Sequence, residues 1–377
     1  MEYVTPQYSR ATVDAAGIRL IAPDLSLDDR EDALAVINNW RSAHSFPLNS
    51  FHVTLRDRAR KVDSHAVTAQ RLKRLSSIEA KLRRFDDMKL SQMQDIGGCR
   101  AVVKRLALVH RIVKVYKQSA AKNPNKRGKL LKEYDYIQNP KRDGYRGVHL
   151  IFKYRSDSKR HSAYNNLRVE IQLRSQLQHA WATAVETVGT FTQQALKSSQ
   201  GEADWLRFFA LMGSAIAMRE RAPLVPDTPS DRQELRQELL RYAQQLDVIS
   251  HMELYAAAVQ APERAGAKQA QYFLLELDPV LKRIRVTGYR SNELDKASSD
   301  YLTVERNILS GAAGRDAVLV SVKSFSALKQ AYPNYFLDTH RFIRAVRQAT
   351  ADEPHGMRRT GDTAQGELFL SAETANL

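Results

Sequence analysis

The spacing of hydrophobic residues predicts helices in the first quarter of the chain. From Asp28 to Ala43 apolar residues recur every three or four positions, as on one face of a helix. After a break at His44–Asn49, the pattern predicts a second helix to about Lys61 and a third from Val67 to Phe85. Residues 1–24 mix Pro, Ser and Thr with short apolar pieces, which indicates an irregular N-terminal arm.

The predicted third helix has an apolar arc and a cationic arc. At about 100° per residue, the two arcs consist of Leu75, Ile78, Leu82 and Phe85 on one side and Lys73, Ser77, Lys81 and Arg84 on the other. One face is therefore expected to pack against the protein. The other is either a solvated surface or a site for anions.

Short apolar runs bounded by turn-forming residues predict strands in the middle of the chain. The predicted strands cover residues 99–103, 134–137, 148–154 and 167–173, with a helix over 106–118, a Lys-rich loop over 121–129 and a turn over 139–144. The run Val169–Arg174 alternates apolar and polar residues at every position. Its apolar face is expected under helices, and its polar face is either exposed or lines a cleft.

Helical patterns return at Gln176–Arg221 and, beyond a Pro-rich stretch at 222–229, continue to about Gln260. They fit either a bundle on the preceding domain or an oligomer interface. The remaining pattern predicts strands over 272–277, 281–288 and 317–322, a helix over 292–308 and one or two helices to Ala349, followed by a polar tail. This order predicts an α/β (α+β) fold, in which a mixed sheet is flanked by helices and followed by a small α/β C-terminal domain.

The positive charge of the chain is confined to one segment. The chain has 377 residues, 58 Lys and Arg against 42 Asp and Glu, and a net charge of +16. Phe51–Arg160 holds 29 of the basic residues but only 10 of the acidic ones. Such a field attracts polyanions such as nucleotide phosphates or nucleic acid. A single cysteine, no apolar run near the ~20 residues that span a bilayer and no signal-peptide pattern favour a cytoplasmic protein without a membrane partner.

Two carboxylates are the candidate metal ligands. Glu170 lies on the polar face of its strand, and Asp95 precedes a glycine pair that opens the strand containing Cys99. Each has an ordinary alternative: an Asp before glycines is often a turn former, and Glu170 could face solvent. Brought together in a basic domain, they suit Mg²⁺, which takes one or two carboxylates plus substrate phosphates.

Basic and aromatic residues supply the remaining candidate chemistry. The run from Arg71 offers closely spaced cations, and the loop from Pro140 to His149 places Tyr145 among basic residues, where its ring can stack on a base. An exposed helical face and a surface turn are the alternatives. No G-x-x-x-x-G-K-[ST] or G-x-G-x-x-G motif is present. Cys99, in an apolar strand, is expected to be a buried hydrophobe rather than a nucleophile.

In order along the chain, these pieces resemble the synthetase domain of the RelA/SpoT alarmone synthetase family, over roughly residues 60–215. The matching runs are Arg71-x-Lys73-x-x-x-Ser77-Ile-x-x-Lys81, Asp95-Ile-Gly-Gly-Cys-Arg100, Asp135-Tyr-Ile-x-x-Pro-Lys141, Gly144-Tyr-Arg-x-x-His149 and Glu170-Ile-Gln-Leu-Arg174, then His179-Ala-Trp-Ala182 and Glu186. The chain departs from the family at Asp143, Gly147 and Ser175, where Asn, Ser and Thr are usual.

The resemblance implies transfer of the β,γ-diphosphate of ATP to a ribose 3′-hydroxyl, with release of AMP. It implies ATP binding by Arg71, Lys73, Ser77, Lys81 and Arg100, and Mg²⁺ binding by the catalytic carboxylates Asp95 and Glu170. Glu170 would also orient or deprotonate the hydroxyl. The acceptor would contact Lys141, Tyr145, Arg146, His149, Gln172 and Arg174, with Tyr145 stacked on its base.

The implied acceptor is GDP or GTP, and two other functions stay open. A toxic small alarmone synthetase relative would modify the 3′ end of tRNA, restrained by its C-terminal domain. A catalytically dead nucleotide- or RNA-binding module is the second. The chain has no His-Asp dipeptide, so no alarmone hydrolysis is expected; a homo-oligomer is possible. The expected divisions are a helical extension (1–60), the synthetase domain (61–225), a helical connector (230–262), the small C-terminal domain (263–350) and a disordered tail (352–377).

Overall fold

The computed structural model describes residues 3–23, 26–122, 128–191, 203–258, 270–278, 283–309, 316–321 and 339–351. The expected disordered tail lies outside these residues. The helices are α1 (Arg10–Ile21), α2 (Leu27–Ala43), α3 (Ser45–Val62), α4 (Leu75–Arg84), α5 (Leu106–Lys122), α6 (Gln176–Phe191), α7 (Ala203–Glu220), α8 (Arg232–Gln245), α9 (Val248–Ala258), α10 (Leu294–Leu309) and α11 (His340–Thr350). The strands are β1 (Val67–Leu72), β2 (Gly97–Val103), β3 (Lys129–Asp135), β4 (Val148–Lys153), β5 (Arg168–Ser175), β6 (Tyr272–Asp278), β7 (Arg283–Tyr289) and β8 (Asp316–Ser321).

The prediction of an irregular N-terminal arm is wrong, because α1 occupies half of it. Ser9 caps this helix by accepting a hydrogen bond from the Thr12 amide at 3.1 Å. Val13, Ala16 and Leu20, at helical spacing, are buried in the main core. The break predicted at His44–Asn49 is also shorter than expected. Helix α3 begins at Ser45 and places Pro47 in its first turn, where no amide donor is needed.

The predicted third helix is wrong over its first half. Val67–Leu72 forms strand β1, and the helix begins only at Leu75. Leu75, Ile78 and Leu82 are buried as the apolar arc predicts, whereas Phe85 caps the C-terminus and is 47% exposed. Arg71 and Lys73 therefore belong to β1 and the turn after it, not to a helical face.

All eight described strands join one mixed sheet in the order β3-β4-β5-β2-β1-β8-β6-β7. Strands β2 and β5 are parallel, and the other pairs are antiparallel. The C-terminal strands extend the sheet through β8, whose Val320 and Ser321 pair with Arg71 and Gln70 of β1. The sheet is thus continuous across the boundary expected near residue 263.

The two faces of the central strands differ as the alternation in β5 predicts. Val169, Ile171 and Leu173 are buried with Cys99 of β2 in a core shared with α1–α5. Burial of Cys99 agrees with its expected role as a small hydrophobe. The opposite face carries the polar side chains of β5, and helix α6 follows that strand directly.

A second core joins the helices after β5 into a bundle. It contains Trp181 of α6, Phe208 and Phe209 of α7, Leu239 of α8 and Phe342 of α11. Helix α11 thus packs on the bundle, away from the C-terminal strands that precede it in the chain. No described helix is long and apolar enough to cross a membrane.

Candidate functional site

The strand registers align polar side chains on one face of the sheet. Arg71 of β1 lies opposite Gly98 of β2, which lies opposite Glu170 of β5. Two residues farther along the strands, Arg100 lies opposite Gln172, which lies opposite His149 of β4. Because directly opposed residues share a face, candidate ATP and acceptor residues from four strands line one cleft.

His149 is the centre of a hydrogen-bonded group on the side of the cleft that contains the candidate acceptor residues. Its Nδ1 lies 2.8 Å from Oε1 of Glu170, and its Nε2 bonds the hydroxyl of Tyr145. Burial alone would lower the pKa of His149, but Tyr145 and Glu170 outweigh it and raise this pKa to about 9. The imidazolium and Glu170 therefore form an ion pair at neutral pH.

Glu170 stays ionised although it is buried. Burial alone would raise its pKa, but His149 and a hydrogen bond from Gln172 Nε2 at 2.6 Å lower it overall. Asp95 acts in the opposite direction and raises it.

Tyr145 is held in place by cations and by a tight turn. Arg174 donates to its hydroxyl at 2.8 Å and lies 5.1 Å from its ring centroid, and Lys141 lies 5.3 Å from that centroid. Burial alone would raise the pKa of Tyr145, but Arg174 and His149 lower it to about 8. Gly144 has φ +92°, and a Cβ there would lie 2.6 Å from the carbonyl oxygen of Phe209. The glycine thus lets the turn pack directly on α7.

Asp95 contacts two lysines on the side of the cleft that contains the candidate ATP residues. Its carboxylate accepts from Lys73 Nζ at 2.6 Å and from Lys81 Nζ at 3.0 Å. Burial alone would raise the pKa of Asp95, but the two ammonium groups hold it far below its usual range. Ser77 lies one turn before Lys81 on α4, so the two side chains share a helix face.

The pair Asp95 and Glu170 fits a hard divalent cation. Both groups are oxygen donors with lowered pKa values, and the charge of Asp95 acts on Glu170. Among the described residues, no group of three or more His, Cys, Asp and Glu forms a cage for a metal. A pair of carboxylates suits Mg²⁺, because this ion commonly binds one or two carboxylates and takes its other ligands from water and substrate phosphates.

The floor of the cleft is open between the two sides. A Cβ built on Gly98 would meet no atom within 4 Å, although its neighbours across the sheet are Arg71 and Glu170. Gly97 instead faces the core, where a Cβ would lie 3.4 Å from the Cβ of His44. The absence of a side chain at Gly98 therefore keeps the cleft open, whereas at Gly97 it allows close packing against α3.

Arg146 is the one predicted acceptor residue that the structure directs elsewhere. Its side chain is 2% exposed and donates to the carbonyls of Ile137 and Pro223 at 3.1 and 2.7 Å. These bonds connect the loop that contains Arg146 to the segment after α7. A buried guanidinium is stable only when it is hydrogen-bonded, and here backbone carbonyls are the acceptors.

Tyr136 joins the acceptor side without having been singled out from the sequence. Its ring lies 5.7 Å from Tyr145, 5.2 Å from His149 and 4.6 Å from Lys141 Nζ. Tyr134 stacks on it at 5.8 Å with an interplanar angle of 8°. The Tyr-x-Tyr spacing at the end of a strand places both rings on one face, and this spacing could have indicated from the sequence that Tyr136 belongs to the site.

A separate cavity of about 360 Å³ lies between the N-terminal helices, β1 and α10. Of the candidate site residues, only Arg71 lines it. The cleft described above, and not this cavity, holds the paired carboxylates.

Comparison with known proteins assigns the cleft to a family. Residues 70–193 match the model described as the region found in RelA / SpoT proteins. These residues are a RelA/SpoT region. It begins at Gln70, next to Arg71, and ends just after α6, so it contains every candidate site residue.

Relatives of the RelA/SpoT region include named synthetases. GTP pyrophosphokinase YwaC of Bacillus subtilis (strain 168) is 27% identical over 175 residues, covering 42% of this chain and 79% of that protein. The crystal structure of small alarmone synthetase 2 from Bacillus subtilis is 20% identical, with a TM-score of 0.40 over 49% of this chain and 94% of that one. Small alarmone synthetase 1 from Bacillus subtilis, bound to its product pppGpp, is also 20% identical, with a TM-score of 0.36 over 47% and 88%.

Proposed function

We propose that the chain is an ATP-dependent diphosphokinase that transfers the β,γ-diphosphate of ATP to the 3′-hydroxyl of GDP or GTP. The observation that carries this proposal is the cleft of the RelA/SpoT region. One side of it presents lysines gathered at Asp95, and the other presents Tyr145 and Glu170. The similarity to a GTP pyrophosphokinase supports the same reaction.

The ATP side supplies positive charge where a triphosphate needs it. Lys73 and Lys81 both reach Asp95, and Arg71 and Arg100 project from the adjacent strands onto the same face. Phosphoryl transfer depends on positioning and charge neutralisation rather than on covalent chemistry by the protein. Ser77, on the same helix face as Lys81, is positioned to donate a hydrogen bond to a phosphate oxygen.

The acceptor side supplies a base platform and a proton acceptor. Tyr145 and Tyr136 offer ring surfaces, and Lys141 and Arg174 offer charges for acceptor phosphates. Glu170 is ionised and oriented by His149 and Gln172, so it can accept the proton of an attacking hydroxyl. His149 is engaged at both nitrogens, and its role is therefore to orient Glu170 and Tyr145 rather than to bind a phosphate.

Asp95 and Glu170 are the residues that would hold Mg²⁺. When bound, the ion would neutralise charge on the transferring phosphates. Lys73 and Lys81, which donate to Asp95, lie beside this position and would add positive charge toward the ATP phosphates.

A second acceptor, the 3′ end of an RNA such as tRNA, is favoured by one specific surface. Exposed basic residues follow the edge of the sheet at Lys129, Lys132, Arg155, Lys159 and Arg160. Lys132 Nζ lies 4.7 Å from the ring of Tyr134, which begins the row of tyrosines leading to Tyr145. Rings and cations in a row suit a single strand of bases and phosphates.

The experiment that tests the proposal incubates the protein with Mg²⁺, γ-labelled ATP and one acceptor at a time: GDP, GTP, AMP or bulk tRNA. Label in GDP or GTP supports the proposed reaction. Label in tRNA alone would show that the acceptor is RNA and not GDP or GTP. No label in any acceptor, together with retained ATP binding, indicates a binding module without catalysis.

A further inference from the structure

A buried ion pair ties the N-terminal helices to the C-terminal region. Arg41 of α2 and Glu305 of α10 expose 2% and 8% of their side chains, with Nη1 and Oε2 2.8 Å apart. Arg41 Nη2 also reaches Glu305 Oε1 at 3.2 Å and the Tyr301 hydroxyl at 2.8 Å. Tyr301 in turn donates to Glu305. Buried charges persist only when they are paired and hydrogen-bonded, as these are.

The same ion pair holds the backbone between β1 and α4. Arg41 Nε donates to the carbonyl of Lys73 at 3.0 Å, and Glu305 Oε1 accepts from the amide of Leu75 at 2.9 Å. These two bonds lie on either side of Arg74. The path of the chain from the strand into the helix is therefore set by side chains from both distant regions.

Helix α4 depends on Glu305 for its N-terminal cap. The residue at its own cap position, Arg74, makes no capping bond, and its first turn contains no acidic residue. The first amides of a helix need an acceptor and favour a negative charge. Glu305 provides both, from 230 residues farther along the chain.

The capped turn lies between the two lysines that meet Asp95. Lys73 is the residue whose carbonyl Arg41 binds, and Lys81 extends from α4 less than two turns beyond Leu75. A shift or fraying of the first turn of α4 would therefore move one ammonium group relative to the other. Pairing of β8 with Arg71 adds a second contact from the C-terminal region to this side.

We propose that Glu305 is a positioning residue for ATP: the C-terminal region caps α4 through this carboxylate and holds Lys73 and Lys81 in register for the triphosphate. The inference rests on the proposed function in taking these lysines as phosphate ligands. The C-terminal region is then a supporting part of the ATP subsite, and loss of its contact weakens ATP binding.

The test compares Glu305→Gln with Asp300→Asn. The first variant removes the charge at α4. The second removes the charge of another carboxylate on the same helix, which accepts from the Tyr289 hydroxyl at 2.8 Å within the C-terminal region. We expect Glu305→Gln to raise the KM for ATP and the Kd for a non-hydrolysable ATP analogue about 2- to 30-fold, up to the equivalent of a lost helix cap, because the neutral amide oxygen accepts less strongly than the carboxylate. The KM for the acceptor should not change. Amide exchange at Leu75 should accelerate, and Asp300→Asn should change none of these.

Two results would overturn the proposal: unchanged ATP affinity in Glu305→Gln, or an equal loss in Asp300→Asn. If Glu305→Gln unfolds, Arg41→Lys keeps a cation beside Glu305 but lacks the Nε donor to Lys73. It should show the same ATP-selective loss, and unchanged affinity there would also overturn the proposal. A wild-type protein that labels no acceptor, with analogue affinity still lost in Glu305→Gln, would reject the proposed reaction and support the positioning role.

Discussion

His149 and Glu170 form a buried ion pair across neighbouring strands, with Nδ1 and Oε1 2.8 Å apart and 14% and 11% of the two side chains exposed. The pair links the ring of Tyr145 to the carboxylate that would accept the proton of the acceptor hydroxyl. One imidazole thus positions both the proposed base platform and the proposed proton acceptor. Substitutions in this group should separate chemistry from binding.

Glu170→Gln should abolish most of the transfer while leaving the fold intact. Loss of a general base typically lowers the rate by ~10²–10⁴-fold. No buried charge would be stranded, because His149 without its carboxylate partner can return toward its ordinary pKa of about 6.5 and lose its proton. Transfer rate and thermal unfolding measure the two effects. Glu133→Gln, on β3 of the same sheet, is the matched control; it breaks a 2.9 Å ion pair with Lys117 of α5. Full activity in Glu170→Gln would reject the assignment.

Tyr145→Ala and Tyr145→Phe should affect acceptor use differently. Alanine removes the ring and should raise the acceptor KM by about 5- to 160-fold, the range of one stacking contact of ~1–3 kcal/mol. Phenylalanine keeps the ring but loses the hydroxyl that meets His149 and Arg174. It should therefore lower kcat more than it raises the acceptor KM. Steady-state kinetics with each substrate varied decides this, and equal losses toward ATP and acceptor in Tyr145→Ala would contradict stacking.

Gly98→Val should block the cleft without destabilising the protein. A Cβ at Gly98 meets no atom within 4 Å, and valine favours a strand. The branched side chain would occupy the floor between Arg71 and Glu170, so ATP binding should weaken at least ~10-fold. Gly97→Val is the control, because it points into the core against His44 and should lower the unfolding temperature. Normal ATP affinity in folded Gly98→Val would show that the triphosphate lies elsewhere.

The protein should lose stability between pH 6.5 and 4 through two buried histidines. Burial lowers the pKa of His44 to about 4, and burial together with Arg56 lowers that of His52 to about 4. Unfolded histidines titrate near 6.5. As the pH falls through this window, the unfolded chain gains protons that the folded chain does not, so the free energy of unfolding decreases. Each histidine should contribute on the order of 3 kcal/mol, at about 1.4 kcal/mol per pKa unit.

Urea unfolding at pH 7 and pH 4.5 measures this loss in wild type and His52→Gln. The variant should show about half of the pH dependence that comes from the two histidines. His251→Gln, at an exposed position on α9, should retain all of it. An unchanged pH dependence in His52→Gln would contradict the assignment.

Sequence patterns predicted the central sheet where local alternation and burial coincide. Over Val169–Arg174 of β5 the apolar residues pack in the core and the polar residues lie on the face of the cleft, so the pattern and the fold agree. The prediction for residues 67–72 was wrong because their apolar spacing also fits a helix. Pairing with β2 and β8 stabilises the strand instead. Such pairing joins residues that are distant in sequence, so the local sequence pattern does not reveal it.

The sequence singled out individual candidate residues but not the contacts between them. Motif spacing singled out His149 and Arg146 alike as acceptor residues. Only the three-dimensional structure shows that His149 bridges Tyr145 and Glu170, whereas Arg146 binds backbone carbonyls. The capping of α4 by Glu305 joins residues 230 positions apart, beyond the reach of any periodicity.

The most direct test of diphosphate transfer follows both products of one reaction. Wild-type protein receives Mg²⁺, GDP and ATP labelled at either the β or the γ phosphate, and the products are treated with periodate, which cleaves only a free ribose diol. We predict that AMP forms in a one-to-one ratio with a guanosine product that carries either label and resists periodate, and that Asp95→Asn forms neither. Formation of ADP, or a labelled product that periodate cleaves, would contradict the account.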